Sequence, residues 1–207
     1  MRKLTTIDKV VAHALVALVM GSPVIAFAQE APGEASPAAQ LEAAFSKLYA
    51  FKSHRERRVY EGEELIQVIE FSGGLEHWIT LDSAGKAGRE VIWDVTLDKG
   101  RSAERTPPGT TWTCVKSVPA EAIEPPSQVT DGGALVVNGQ GAHRFVEEFT
   151  NVMVGSSVRH EVDVATATGI PIRLISLEIS KSGFKTNYVG TYYDLGVPIE
   201  LVFPHCS

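Results

Sequence analysis

Two hydrophobic rhythms divide the chain. Behind Ser36-Pro37, apolar side chains recur at Leu41, Ala44, Phe45 and Leu48, the i, i+3, i+4, i+7 spacing of one helix face. Ser36 supplies an N-cap and Pro37 a first-turn proline. The spacing predicts an amphipathic helix of about three turns. A helix that short is marginal in water by itself, and its stripe is wide enough to lie on a sheet.

From Ser53 onward the period falls to two. Ser53–Tyr60 leads through Glu61-Gly62-Glu63 into Leu65–Phe71, and Ser72-Gly73-Gly74 leads into Leu75–Leu81. Leu75, His77, Ile79 and Leu81 alternate with Glu76, Trp78, Thr80 and Asp82; Val91, Trp93, Val95 and Leu97 alternate with Glu90, Asp94 and Thr96. Alternation of this kind gives a strand one buried and one wetter face. Between Asp98 and Asp131 the pattern is broken by Pro107-Pro108, Pro119 and Pro125-Pro126. Proline cannot donate to a ladder, so this stretch reads as a long excursion with one short strand around Thr111–Lys116, the kind of loop that serves as a lid. Strand patterns resume at Ala134–Asn138, Arg144–Val154, Val158–Asp163, Ile170–Ile179, Phe184–Asp194 and Ile199–Phe203. About ten strands, no βαβ rhythm and no internal repeat predict a mostly β (α+β) domain on an antiparallel sheet.

The N-terminus changes the setting. Arg2, Lys3 and Lys9 precede an apolar run from Val10 to Met20, a Gly21-Ser22-Pro23 break and the small-residue pattern Ala26-Phe27-Ala28. These are the three parts of a cleavable secretory signal, with cleavage expected after Ala28. A membrane anchor would need about 20 unbroken apolar residues, which the Gly-Ser-Pro break denies. The expected organisation is a signal peptide at 1–28, a flexible Ala-, Pro-, Glu- and Gly-rich tether at 29–36, and one domain at 37–207. Cleavage removes three of the 19 Lys and Arg and one of the 25 Asp and Glu, which leaves a net charge of about −8. Nucleic acid and anionic lipid surfaces demand a basic footprint and are poor partners for such a molecule. The two cysteines, Cys114 and Cys206, are an even pair in an exported chain and read first as a disulfide closing a loop of about 90 residues. The alternative is a thiol nucleophile, but neither cysteine stands in a C-x-x-C pair.

A search for chemistry finds little. There is no G-x-S-x-G elbow, and Gly155-Ser156-Ser157 sits between two strand patterns as a turn would. His54, His77, His143, His160 and His205 fall on separate segments without metal-ligand spacing, so no metal and no cofactor are expected. Gly139-Gln140-Gly141 lies in a strand context and does not open a helix as a phosphate loop would. Glu147 and Glu148 are adjacent on a strand and point to opposite faces, so they cannot share an acid–base site. Arg55, Arg57 and Arg58 form a basic cluster in an acidic chain. They read either as a solvated face paired with Glu63 or Glu64, or, at Arg55 and Arg57, as a docking point for an anionic head group.

The C-terminal half carries a family resemblance. Val162-Asp163-Val164-Ala165-Thr166-Ala167-Thr168-Gly169-Ile170-Pro171-Ile172-Arg173, followed after a strand by Gly190-Thr191-Tyr192-Tyr193-Asp194-Leu195-Gly196-Val197-Pro198-Ile199, resembles the D-x-x-T-G-x-P-x-R … Y-x-D-x-G-x-P-V rhythm of periplasmic LolA-like and mycobacterial LppX/LprG-like lipid carriers. The resemblance implies a strongly curved antiparallel half-barrel whose concave face is covered by a few helices and holds acyl chains; in this chain the expected cover is the N-terminal helix and a proline-rich lid loop. It implies a periplasmic, non-enzymatic binding protein for a lipid, a lipoprotein acyl chain or another hydrophobic ligand, and not an integral membrane protein. Candidate cavity residues are Leu41, Phe45, Leu48, Trp78, Trp93, Phe145, Ile172, Tyr188 and Tyr192, many of which also suit a plain core. Burial contributes roughly 0.8 kcal/mol per CH₂, so a chain of about ten carbons binds without any catalytic group. The alternative is an envelope protein-interaction or regulatory module with the same fold and a filled interior.

Overall fold

The computed structural model describes residues 35–62, 65–96, 101–116, 127–151, 156–180 and 183–205. The expected signal peptide, most of the tether, Pro119, Pro125, Pro126 and Cys206 lie outside them. Among these residues one helix, α1 (Pro37–Tyr49), precedes eleven strands: β1 (Ser53–Tyr60), β2 (Ile66–Ser72), β3 (Leu75–Leu81), β4 (Ala87–Asp94), β5 (Arg101–Arg105), β6 (Thr113–Lys116), β7 (Gln128–Val137), β8 (Gln140–Asn151), β9 (Ser156–Ala165), β10 (Pro171–Ser180) and β11 (Gly183–Tyr193). α1 begins as its sequence dictates, with Ser36 Oγ accepting from the Ala39 N–H at 3.3 Å and proline in the first turn.

All eleven strands form one antiparallel sheet in the order β6-β5-β4-β3-β2-β1-β11-β10-β9-β8-β7. It consists of two meanders, β1–β6 and β7–β11, whose strands pair with each other at β1 and β11. Tight hairpins make the meanders local. Gly73-Gly74 and Asn138-Gly139 both hold positive φ at their two central residues, as two-residue turns between twisted strands require.

The order also dictates curvature. β6 and β7 are consecutive in the chain yet stand at opposite edges of the sheet. Laid flat, eleven strands would separate those edges by about 48 Å, at roughly 4.8 Å per spacing. The twelve steps from Lys116 to Gln128 reach about 43 Å at most, even fully extended. The sheet must therefore bend its edges toward each other, which is the half-barrel.

Two expectations are corrected. The stretch from Asp98 to Asp131 is not one excursion with a single strand: β5, β6 and the first residues of β7 all belong to the sheet. Ile199–Phe203 is not a strand; the tail crosses the outer face, where Ser53 Oγ donates to the Val197 carbonyl and Ser72 Oγ to the Ile199 carbonyl, each at 2.6 Å, and Phe203 lies under the Arg101 guanidinium at 4.0 Å. Ser53, Ser72, Leu75, Asp94 and Arg101 are aligned across β1–β5, so the tail follows one row of the sheet.

Register separates two faces. Phe145, Val162, Leu174, Gly190, Arg58 and Gln67 are aligned across β8, β9, β10, β11, β1 and β2. Leu41 and Ala44 of α1 pack with Phe145, Val162, Val164, Leu174 and Tyr188, so this is the inner face. The outer face is a ladder of ion pairs. Asp163, 0% exposed, is held by Arg144 Nε at 2.7 Å and Arg173 at 2.6 Å; Arg144 also meets Glu161. Across the other meander Asp194, Arg55, Glu70, His77, Glu90 and Arg105 follow one another at 2.7–3.1 Å.

The residues that carry the family resemblance are explained by this architecture. Asp163 and Arg173 are the first and last members of the first motif and pair across the β9–β10 hairpin. Gly169 holds φ +67° in its turn, and a Cβ there would strike the Lys47 ammonium of α1. Asp194 and Gly196 end β11 with φ of 51° and 73°, and the Gly196 N–H donates to the Ser53 carbonyl at 2.8 Å.

Candidate functional site

Among the described residues, the inner face has a covered part and an uncovered part. Under α1, Leu48 is fully buried, and Phe45 meets Tyr192 edge to face at 6.5 Å. Leu41, Phe145 and Tyr188 are core members, with Phe45 and Tyr192 packed against them. Six of the nine predicted cavity residues thus gather beneath or on the helix. Ile172, half-buried, sits at the irregularity of β10 between Pro171 and Arg173 and is not part of that cluster. Trp78 and Trp93 occupy the inner face of β3 and β4, beyond the helix, and both are half-exposed. Two rows reach them: His54, Phe71, Glu76 and Trp93 across β1–β4, and Tyr192, Glu56, Ile69, Trp78 and Val91 across β11 and β1–β4.

The predicted arginine cluster is split by strand alternation. Arg55 and Arg57 point to the outer face, where Arg55 is bound by Glu70 and Asp194 and Arg57 is exposed. Arg58 turns inward. Its Nε and Nη2 donate to both oxygens of Glu56 at 2.8 and 2.9 Å, and both side chains are buried. The guanidinium also faces Tyr188 at 4.9 Å and Trp78 at 5.2 Å, a geometry that stabilises a desolvated cation. Gly190 makes the pair possible: a Cβ there would come within 2.6 Å of Glu56 Oε1.

Burial governs the electrostatics of this face. Burial lowers the His54 pKa to about 4. Burial, and then the charge of Arg58, lower that of His160 to about 3, and its Nε2 lies 3.3 Å from Ser176 Oγ. Burial likewise raises the pKa of Glu147, against a hydrogen bond from Ser127, and that of Tyr192. In every case the uncharged form gains, as expected where water is excluded. Among the described residues no three His, Cys, Asp or Glu side chains are placed to hold a metal ion. No helix among them is long and apolar enough to cross a membrane.

Hydrophobic spacing points to the covered aromatics and the two tryptophans, but not to the inward Glu56–Arg58 pair or to His54. Alternation across Arg55, Arg57 and Arg58 was the signal that would have separated Arg58 from its neighbours.

The class this geometry defines is an open, curved antiparallel half-barrel with one helix on its inner face. No protein-family model matches the chain, and no curated protein matches its sequence. Among solved structures it is similar to the Mycobacterium tuberculosis lipoprotein LppX, with a TM-score of 0.52 at 10% identity over 79% of this chain and 97% of that one. The fold is therefore LppX-like. Looser matches are a DUF1329 family protein from Desulfovibrio piger, with a TM-score of 0.38 at 11% identity over 80% and 96% of the two chains, and MucB in complex with MucA(peri), with a TM-score of 0.36 at 14% identity over 76% and 54%.

Proposed function

We propose that the protein is an exported, non-enzymatic binding protein that shelters a lipid or other apolar molecule on the inner face of its sheet. The observation that carries this reading is the incomplete cover among the described residues: α1 packs on the β7–β11 side, while Phe71, Trp78, Val91 and Trp93 on β2–β4 are only half-buried on the same inner face. Half-exposed aromatics in a concave surface are what an apolar ligand covers. The LppX-like fold supports the reading, as does the resemblance of the C-terminal motifs to lipid carriers. The test is mass spectrometry of organic extracts from the purified protein, together with tryptophan fluorescence during titration with a twelve-carbon probe. A co-purifying lipid and a saturable fluorescence change are expected; an empty protein whose tryptophans ignore the probe would refute the assignment.

Export and the disulfide belong to the same proposal. The basic-apolar-A-x-A start supports secretion to the periplasm with cleavage after Ala28, which N-terminal sequencing of the secreted protein checks. The path of the tail supports a Cys114–Cys206 bond. By Phe203 the tail has reached Arg101 on β5, Cys114 stands on the neighbouring strand β6, and it pairs there with Ala103. Peptide mapping without reductant is expected to recover the two cysteines in one linked fragment.

A further inference from the structure

His54 is a polar side chain whose hydrogen-bonding capacity the fold leaves unused. It is 3% exposed, and neither Nδ1 nor Nε2 has a hydrogen-bond partner among the described residues. Roughly nine in ten buried polar groups are paired in folded proteins, and its neighbours on the inner face obey that rule: Glu56 with Arg58, His160 with Ser176, and the Trp78 indole with Glu76 at 3.1 Å. The other unpaired atom, Arg159 Nε, belongs to a side chain whose remaining nitrogens hold Glu148 and Glu161.

The surroundings of His54 are aromatic. Its ring stacks on Phe71 with centroids 4.2 Å apart, and meets Tyr49 at 5.8 Å and Tyr192 at 6.5 Å edge-on. These walls are side chains, whose rotamer changes are the commonest adjustment on binding. His54 also stands where the helix cover ends: the next positions along its row are Phe71, Glu76 and the half-exposed Trp93. Burial keeps the imidazole neutral at ordinary pH, so one ring nitrogen donates and the other accepts. A hydroxyl group fits either nitrogen in either tautomer, because it both donates and accepts. An ammonium can only donate and a carboxylate can only accept, and either would carry a charge into the aromatic surroundings of His54.

We propose that His54 is the polar anchor of the ligand site and that the ligand is an apolar chain bearing a hydroxyl, bonded to a ring nitrogen of His54 while the chain lies over Phe71, Trp78 and Trp93. This rests on the carrier reading and deepens it. The test compares dodecan-1-ol with 1-chlorododecane, which has the same chain and no hydroxyl, on the full chain and on a His54→Phe variant. The native protein is expected to prefer the alcohol, and His54→Phe to lower the ratio of the two affinities roughly tenfold, the value of one buried hydrogen bond. In parallel, ¹⁵N spectra of histidine-labelled native protein are expected to show the His54 ring nitrogens moving with the alcohol and not with the chloride. If both probes bind and the ratio survives the substitution, the anchor is wrong and the carrier reading stands. If neither probe binds, the carrier reading falls and takes the anchor with it. If His54→Phe does not fold, the spectra decide, and unmoved His54 nitrogens at saturating dodecan-1-ol overturn the proposal.

Discussion

The two meanders share one ladder of backbone hydrogen bonds but differ in what lies over their inner faces. On β8–β10, Phe145, Val162 and Leu174 are buried under α1, whereas on β3 and β4 the larger Trp78 and Trp93 are only half-buried. Strand pairing satisfies the backbone equally on both sides, so the difference is one of side-chain cover. Covered residues should hold the fold together, and uncovered ones should hold something else.

The sharpest way to break this comparison is Phe145→Ala. Truncating a buried aromatic removes transfer energy and leaves a cavity, at a cost of about 3–5 kcal/mol, readable by urea denaturation; a loss as small as that of an exposed residue would mean that the helix does not seal its half. Next comes pH. The folded protein holds His54 and His160 at pKa values of about 4 and about 3, below the 6.5 of the unfolded chain. Each contributes stability that is present at neutral pH and is lost as the pH falls from about 6.5 toward the folded value, because only the unfolded chain takes up the proton. Between pH 7 and pH 5 the His54→Phe variant is expected to lose about 2 kcal/mol less than the native protein; equal losses would contradict a buried neutral ring. Gly190→Ala is a smaller perturbation. The new methyl displaces the Glu56 carboxylate from Arg58, and a cost of about 1–2 kcal/mol is expected, measurable by thermal melting. Smallest in stability is Trp93→Ala, at about 1 kcal/mol, yet it should weaken binding of a twelve-carbon probe; the reverse outcome, a severe loss of stability with binding intact, would make Trp93 core.

Much of the fold was legible because period-two alternation, the Gly-Gly turn and the capped helix each announce themselves locally. β5 was not legible. Its sequence Arg-Ser-Ala-Glu-Arg places Ser102 and Glu104 inward and Arg101 and Arg105 outward, with no apolar alternation to read. The start of β7 was hidden by Gly132-Gly133, where the register slips beside Asp131. The family motifs were legible and proved to be hairpin chemistry, a clamp of Asp163 by Arg173 and glycines at positive φ. The inner site was half-legible, since hydrophobic positions can be counted but pairing cannot. Whether a lone histidine such as His54 finds a partner depends on which side chains the sheet brings beside it.

α1 precedes the first meander in the chain but packs its stripe on the second. Each half therefore lacks part of what it needs to bury its own apolar surface, and the β1–β11 seam, this crossed helix and the tail laid from β11 over β1–β5 bind them. Severed between β6 and β7 and freed of the proposed Cys114–Cys206 bond by a reductant, the chain should yield two fragments that stay unstructured apart and regain the fold when mixed, a split reporter whose reassembly is driven by an interlocked helix.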